Sequence, residues 1–256
     1  MPGADSPERC GPLTGVNDTR PVLRERSGDI EILRLNRPEK RNALDSATLA
    51  VLNGDLEALS GDTALRVLIV STTNTQALCA GADVGEELDR VGGMARMAGF
   101  ARMYSLIEQF PVPTIAVAVG NCVGAGAELV AGVDLRVGGD NLGLAWAGAR
   151  LGVPVGAARL TPLVGLAKAK ELVFTGRLLR QADAAALGLL TRTAPAAEAE
   201  AVALELAAEL CTQSADGLRT LKQMFRELEG SAKRVDYEND HLLHFQQSGA
   251  GLPKGN

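Results

Sequence analysis

The feature that most constrains the fold is an apolar strand that runs directly into a turn of small residues. Thr114 to Val119 (TIAVAV) is a short apolar run, and Gly120 to Leu129 (GNCVGAGAEL) follows it without a polar linker. The first run predicts a buried strand, and the second predicts a tight turn that opens a helix. Such a strand–turn–helix passage is typical of a crossover unit, in which successive strands lie parallel.

Similar segments occur in order along the chain. An antiparallel hairpin is predicted from Val22–Arg26 and Ile30–Leu35, joined by a turn at Ser27–Asp29. Further strands are predicted at Leu65–Val70 and Asp134–Val137, with a tight loop at Leu78–Val84 (LCAGADV). The recurrence of strand, small-residue turn and helix predicts an α/β fold with a largely parallel sheet.

Helical spacing appears between these strands. Asp45 or Ser46 is a candidate N-cap, and four leucines then follow on one helix face: Leu49, Leu52, Leu56 and Leu59. The segment 85–99 has a mixed pattern and precedes a helix that is expected to end near Phe110. Beyond Pro162 helical periodicity continues to Phe245, and no comparable strand is expected there.

This pattern predicts three regions. Residues 1–20 are rich in Pro, Gly, Asp and Ser and are expected to form a flexible extension. Residues 21–195 are expected to form the α/β core, and residues 196–256 a helical oligomerisation region. The apolar residues of its last part, Leu242, Leu243 and Phe245, are expected to be buried against neighbouring subunits.

Composition excludes several classes of partner. The net charge is −5 and only 3% of residues are aromatic, which argues against a nucleic-acid-binding surface. No apolar run approaches the roughly 20 residues that span a bilayer, and no secretory signal is evident, so we expect a cytoplasmic protein without membrane insertion.

The cysteines and histidines do not predict a metal site. The four cysteines, Cys10, Cys79, Cys122 and Cys211, lie far apart, so reduced thiols are expected rather than disulfides or a metal centre. His241 and His244 are spaced i, i+3, which is more typical of a helix surface or interface than of a metal site without further ligands.

The small-residue turn is also the main candidate for chemistry. Gly124-Ala125-Gly126-Ala127 would place unsatisfied N–H groups at a helix N-terminus, where they suit an anion, and Ala82 could present a second N–H. Two converging donors would form an oxyanion hole, worth about 3 kcal/mol per donor. Close packing of helix against sheet explains the same small residues equally well. The turn lacks the third glycine of a dinucleotide-binding motif.

Glu128 is the most informative ionisable residue. It lies in the first turns of an otherwise apolar helix, where it could simply interact favourably with the helix dipole. Alternatively, its small and apolar neighbours would raise its pKa and suit it to proton transfer near neutral pH.

Several motifs together resemble the enoyl-CoA hydratase/isomerase family (crotonase superfamily), over about Val22 to Phe245. They occur in the family's order: RPEKRNAL (37–44), LCAGADV (78–84), PTIAVAVGNCVGAGAEL (113–129), DLR (134–136) and LVFTG (172–176).

The resemblance implies a crotonase-like ββα spiral with a helical C-terminal region, assembled as a homotrimer or dimer of trimers. It implies an acyl-CoA thioester substrate, as in fatty acid metabolism, with no separate cofactor and no metal. The thioester carbonyl would be held by the N–H groups of Ala82 and Ala125, beside Gly124, with Glu128 as acid/base. The resemblance also assigns coenzyme A contacts to other positions: Ala80, Asp83 and Val84 for adenine and pantetheine, and Lys40 and Arg41 near the phosphates.

The chain departs from the family at one catalytic position. Hydratases of the family use two glutamates, and the second falls by spacing on Gly148; no Asp or Glu occurs between Asn141 and Lys170. Trp146 is expected to fill part of the pocket. We therefore expect an enzyme of hydratase (lyase) or isomerase type, or one catalysing another thioester reaction, and alternatively an acyl-CoA-binding protein that has lost catalysis. In this interpretation Gly148→Glu would raise hydratase activity if the backbone accepts a side chain.

Overall fold

The computed structural model of the protein describes residues 19–249 and 251–252, so most of the predicted extension 1–20 lies outside the described residues. The strands of the described part are β1 (Val22–Ser27), β2 (Ile30–Leu35), β3 (Val67–Thr72), β4 (Ala77–Cys79), β5 (Thr114–Ala118), β6 (Asn121–Val123), β7 (Leu135–Gly139), β8 (Gly143–Ala145) and β9 (Arg192–Ala194). Its helices are α1 (Ser46–Ser60), α2 (Arg90–Glu108), α3 (Ala125–Gly132), α4 (Ala157–Val164), α5 (Leu166–Thr175), α6 (Gln181–Ala186), α7 (Ala199–Cys211), α8 (Ala215–Glu229) and α9 (Ser231–Ser248).

Two sheets organise the chain. The larger has the order β1-β2-β3-β5-β7-β9, antiparallel only between β1 and β2, and the smaller has the parallel order β4-β6-β8. Three turns of the chain contribute one strand to each sheet before the next α-helix: β3–β4–α2, β5–β6–α3 and β7–β8–α4. The predicted hairpin, parallel sheet and ββα spiral are therefore confirmed.

The larger sheet is buried on both faces. Along β2, Leu33 and Leu35 join the apolar cluster formed with α1, α2 and α3, whereas Ile30 and Ile32 join a second cluster with α7. Because neighbouring side chains of a strand point to opposite faces, continuous apolar runs such as that of β5 serve both clusters. The predicted leucine face of α1 is buried, and Asp45 is its N-cap, accepting a hydrogen bond from Thr48 N–H.

Three local predictions need correction. A strand, β9, does occur beyond Pro162; it is only three residues long and is recognisable only from its pairing with β7. The small-residue segment after β5 contains the short strand β6 before its helix begins. Part of the mixed segment 85–99 is helical, because α2 begins at Arg90 with Asp89 as N-cap, and its glycines hide the helical period.

The expected burial of Leu242 against neighbouring subunits is corrected, whereas the oligomerisation role of the C-terminal region stays a prediction. Leu242 of α9 is 2% exposed within this single chain, and Leu243 and Phe245 pack partly buried against the same core cluster. The apolar side of α9 is thus used inside the chain, against α2 among others. A group of four exposed apolar residues lies instead on α8, at spacings typical of one helix face: Leu221, Met224, Phe225 and Leu228. The division of the chain at residue 195 stays a prediction.

Leu242→Ala is expected to lower the free energy of unfolding by about 2–5 kcal/mol, because it leaves a cavity in the core. Val91→Ala removes methyl groups from a residue of α2 that is 76% exposed and is the matched control, with an expected change within about 0.5 kcal/mol. Urea denaturation measures both. Equal effects of the two substitutions would contradict the packing of α9 inside the chain.

Candidate active site

A cavity of about 210 Å³ lies between the turns that follow β4 and β6, the helix α2 and the segment 147–155. Leu242 of α9 and Leu252 also line it. Its lining residues are Ala80, Gly81, Ala82, Val84, Met97, Phe100, Tyr104, Val123, Gly124, Ala125, Ala147, Gly148, Leu151, Val153, Val155, Leu242 and Leu252. The two small-residue turns singled out from the sequence therefore meet at one cavity.

The backbone N–H groups of Ala82 and Ala125 are both unpaired among the described residues. The neighbouring amides are bonded: Asp83 N–H donates to Leu44 O at 2.9 Å, and Gly124 N–H donates to Ala145 O at 3.0 Å. Ala125 is the first residue of α3, where the N–H has no partner inside the helix and lies at the positive end of the helix dipole. The cavity thus has two free donors from two different turns.

Glycines allow this approach of the two turns. Gly124 has φ 55° and ψ −115°, a conformation that residues with a side chain rarely adopt. A Cβ on Gly126 would lie 2.0 Å from Cys79 O, so glycine is needed where α3 packs against β4. Ala125 itself is not among the described non-glycine residues with positive φ, so its side chain introduces no strain of that kind.

Glu128 does not line the cavity. Its side chain is fully buried, and its Oε2 accepts a hydrogen bond from Arg159 Nε at 2.5 Å. Arg159 also donates from Nη2 to Glu238 Oε1 at 2.5 Å, and Glu238 accepts a further bond from Ala158 N–H. Two carboxylates from α3 and α9 therefore share one guanidinium from α4, and the group is called the Arg159 cluster below.

Burial raises the pKa of Glu128 to about 7; the charge of Arg159 opposes this rise and that of Glu238 adds to it. The rise agrees with the expectation from its apolar neighbours in sequence. The ion pair itself was not predicted, because Arg159 lies 31 residues further along the chain. Glu128 Oε1 is enclosed and has no hydrogen-bond partner in the described part of the chain.

Tyr104 is the cavity residue that sequence reasoning missed. It lies on α2 within a helix that carries no recognisable motif, and its ring lies under the Arg159 guanidinium, 4.3 Å from ring centroid to Cζ. Burial raises the pKa of its hydroxyl well above the usual value, so the phenol is neutral. Only the packing of α2 against α4 reveals its place beside the cavity.

The structure corrects the expectations for Trp146 and Gly148. Trp146 is buried but does not line the cavity. Gly148 does line it, but a Cβ there would lie 2.8 Å from Val153 O and 3.0 Å from Val155 Cγ1. A carboxylate at position 148 would therefore require the backbone to move, and Gly148→Glu is not expected to raise activity.

The residues assigned to coenzyme A line the cavity or lie in turns next to it. Ala80 and Val84 line the cavity, and Ala80 N–H donates to Arg41 O at 3.0 Å, which places the turn with Lys40 and Arg41 beside it. Both basic residues are exposed. Asp83 instead pairs with Arg37 at 3.2 Å and accepts a hydrogen bond from Gly85 N–H.

Comparison with known proteins identifies the family of the chain. The family model described as "Enoyl-CoA hydratase/isomerase" matches residues 25–249. The chain belongs to this family. The Escherichia coli "2,3-dehydroadipyl-CoA hydratase" is 31% identical over 225 residues, which cover 87% of this chain and 88% of that protein.

Other relatives match to different extents. The Arabidopsis thaliana protein named "Probable enoyl-CoA hydratase 2, mitochondrial" is 32% identical over 191 residues, 72% of this chain but only 62% of that protein. A crystal structure of an enoyl-CoA hydratase/isomerase from Mycobacterium paratuberculosis superimposes with a TM-score of 0.81 at 21% identity, covering 90% of this chain and 95% of that one. At this identity the superposition supports the fold.

Membrane-spanning helices and metal-binding clusters are both absent from the described residues. None of their helices is long and apolar enough to cross a membrane. They contain no group of three or more His, Cys, Asp or Glu side chains placed to hold a metal ion. Cytoplasmic location, and the absence of a cofactor, stay predictions.

The raised pKa of Glu128 predicts a pH-dependent stability. Its folded-state pKa lies above the unfolded value of about 4.3, so the folded state holds the proton more tightly. This contribution is fully present below about pH 4 and is lost as the pH rises through 7, at about 1.4 kcal/mol per pKa unit. Relative to Glu128→Gln, the wild type should therefore lose free energy of unfolding between pH 4 and 7.5. Urea denaturation across this pH range measures the loss. Glu205→Gln, at an exposed position of α7, is the control and should follow the wild type. Parallel curves of unfolding free energy against pH for wild type and Glu128→Gln would contradict the prediction.

Proposed function

We propose that the protein binds an acyl-CoA thioester and processes it through an enolate held by the N–H groups of Ala82 and Ala125. The observation that carries the proposal is the meeting of these two unpaired donors at one apolar cavity. When a proton leaves the α-carbon of a thioester, negative charge develops on the carbonyl oxygen. Two oriented N–H groups stabilise this charge more than they stabilise the neutral ester, and such a difference accelerates a reaction.

The entrance of the cavity suits the rest of the ligand. Lys40 and Arg41 are exposed beside the turn at Ala80 and would contact the phosphates of coenzyme A. Ala80, Asp83 and Val84 would contact the adenine and pantetheine groups. The acyl group of the ligand would then lie in the cavity.

In the proposed reaction Glu128 carries the proton. A pKa of about 7 allows a carboxyl group to release and accept a proton near neutral pH. Its Oε1 accepts no hydrogen bond in the described chain but is enclosed by protein, so the proposed proton transfer requires a side-chain movement that opens Oε1 to the cavity. One carboxylate can move a proton between carbons, so isomerisation is favoured, while hydration is expected to be slow without a second carboxylate.

The second candidate is an acyl-CoA-binding protein without turnover. It is favoured by the position of the Glu128 carboxylate, which is paired with Arg159 and does not line the cavity. The thioester clamp is made of backbone and does not depend on this carboxylate, so binding would persist without catalysis.

For the assembled protein we propose a homotrimer or a dimer of trimers. The exposed apolar face of α8, which includes Leu221 and Phe225, supports an interface there rather than on α9.

Ala125→Pro tests the clamp because proline lacks the N–H yet is tolerated at the first position of a helix. We expect it to lower enoyl-CoA turnover by about 100- to 1,000-fold, while Ala125→Gly, which keeps the N–H, stays near the wild-type rate. Thermal melting verifies that both variants are folded. Equal turnover of the two variants would contradict the role of this donor.

Glu128→Gln separates the two candidate functions. Crotonyl-CoA and butyryl-CoA should raise the melting temperature of both wild type and variant, since binding rests on backbone groups. If the protein is an enzyme, the wild type hydrates crotonyl-CoA or isomerises 3-butenoyl-CoA, and the variant does neither. Binding without either reaction in the wild type identifies the binding protein, and the absence of any thermal shift contradicts both candidates.

A further inference from the structure

The wall of the cavity is hydrocarbon with one exception. Of the side chains that line it, only Tyr104 carries a hydroxyl, and none carries a carboxyl, amide or cationic group. The other polar features of the wall are backbone groups and the weakly polar sulfur of Met97. A single hydroxyl therefore decides which polar atom of an acyl chain can be recognised there.

Packing holds the Tyr104 ring in place. The ring lies between the Arg159 guanidinium, at 4.3 Å, and the Phe100 ring, with centroids 6.3 Å apart. Arg159 is fixed in turn by its two carboxylate partners, Glu128 and Glu238. A hydroxyl on so constrained a ring loses little conformational entropy when it binds a ligand.

The Tyr104 hydroxyl makes no hydrogen bond to any described residue, although the side chain as a whole is 4% exposed. Glu128 Oε1 and Trp146 Nε1 also make no hydrogen bond to described residues. These two atoms are fully enclosed by protein, whereas the Tyr104 hydroxyl is not. Buried hydroxyl groups normally have partners, and because the Tyr104 side chain lines the cavity, a ligand there can supply one.

Position 148 cannot supply the polar contact that the resemblance assigns to a second glutamate. Gly148 lines the same cavity, but its backbone is too close to Val153 O to bear a side chain without moving. Tyr104 is the side chain of this cavity that can replace the missing contact.

We propose that the Tyr104 hydroxyl hydrogen-bonds an oxygen on the acyl chain, so that this residue makes the protein prefer a short, uncharged β-hydroxyacyl thioester over the acyl thioester that lacks this oxygen. This rests on the proposed function, because Ala82 and Ala125 must hold the thioester carbonyl. The neutral phenol can donate a hydrogen bond to this oxygen or accept one from it.

The size and lining of the cavity set the class of acyl group. About 210 Å³ is below the roughly 300–1,000 Å³ of drug-sized ligand pockets, which indicates a short acyl chain. A terminal carboxylate would meet no cation in the wall, and burying it unpaired is costly. Acyl groups that end in a carboxylate should therefore bind poorly.

Binding of two matched ligands tests the proposal without requiring turnover. The full-length wild type should bind 3-hydroxybutyryl-CoA about 2- to 10-fold more tightly than butyryl-CoA, the gain of one hydrogen bond. Tyr104→Phe should reduce this preference to less than about twofold while keeping affinity for butyryl-CoA. Tyr237→Phe, at a tyrosine 69% exposed on α9, is the matched control and should keep the wild-type preference. Calorimetric titration measures all six dissociation constants.

A second measurement leaves Tyr104 intact. The sequence has two tyrosines, so in Tyr237→Phe labelled with ¹³C at the tyrosine ζ-carbon the only tyrosine signal comes from Tyr104. Its chemical shift should move more with 3-hydroxybutyryl-CoA than with butyryl-CoA, because the ζ-carbon carries the hydroxyl.

The outcomes distinguish a failure of the proposed function from a failure of the role of Tyr104. If neither ester binds the wild type, the proposed function itself is wrong. If both bind and the preference survives in Tyr104→Phe, or the ζ-carbon responds equally to both, the role of Tyr104 is overturned while the thioester clamp stands. Should Tyr104→Phe fail to fold, the ζ-carbon measurement decides alone.

Discussion

The structure around the site depends on one buried guanidinium. Arg159 of α4 binds Glu128 of α3 and Glu238 of α9, and its flat face covers the ring of Tyr104 on α2. Side chains of four helices that are distant in sequence, Arg159 included, therefore contact one another around a single positive charge. Removing a partner from such a buried group leaves an uncompensated charge, which is strongly destabilising, so the cluster fixes how these helices pack. It also determines the surroundings of the cavity, since Tyr104 and α3 both belong to its wall.

A second buried arginine stabilises the other end of α3. Arg136 donates to Val130 O at 2.8 Å and to Val133 O at 2.7 Å, at the end of the helix where carbonyl groups have no partner inside it. Burial lowers its pKa to about 10, which still leaves it charged at neutral pH. A cation at the C-terminus and an anion-binding turn at the N-terminus both agree with the direction of the helix dipole. Helix α3 is thus held at both ends while its first N–H faces the cavity.

Much of the fold could be predicted because its signals are local. The hairpin β1–β2, the strand β5 with the turn before α3, and the Asp45 cap of α1 each follow from fewer than about twenty neighbouring residues. The misplaced elements lack such signals. Strand β9 has three residues and is defined by pairing with β7, and the start of α2 contains Gly92 and Gly93, which carry no periodic information. The packing of α9 on the core of its own chain is likewise visible only in the structure.

The same division applies to the site. The sequence determined the two small-residue turns and the lack of a carboxylate at position 148, because glycine requirements and residue identity are properties of short segments. The N–H groups of Ala82 and Ala125 were assigned by the resemblance. Only the tertiary structure decided what surrounds them. Glu128 meets Arg159 across 31 residues, Arg159 meets Glu238 across 79, and Tyr104 reaches the cavity from a different helix. Side-chain ion pairs and cavity walls form where helices cross, and the crossing depends on the packing of the whole core, which no short stretch of sequence encodes.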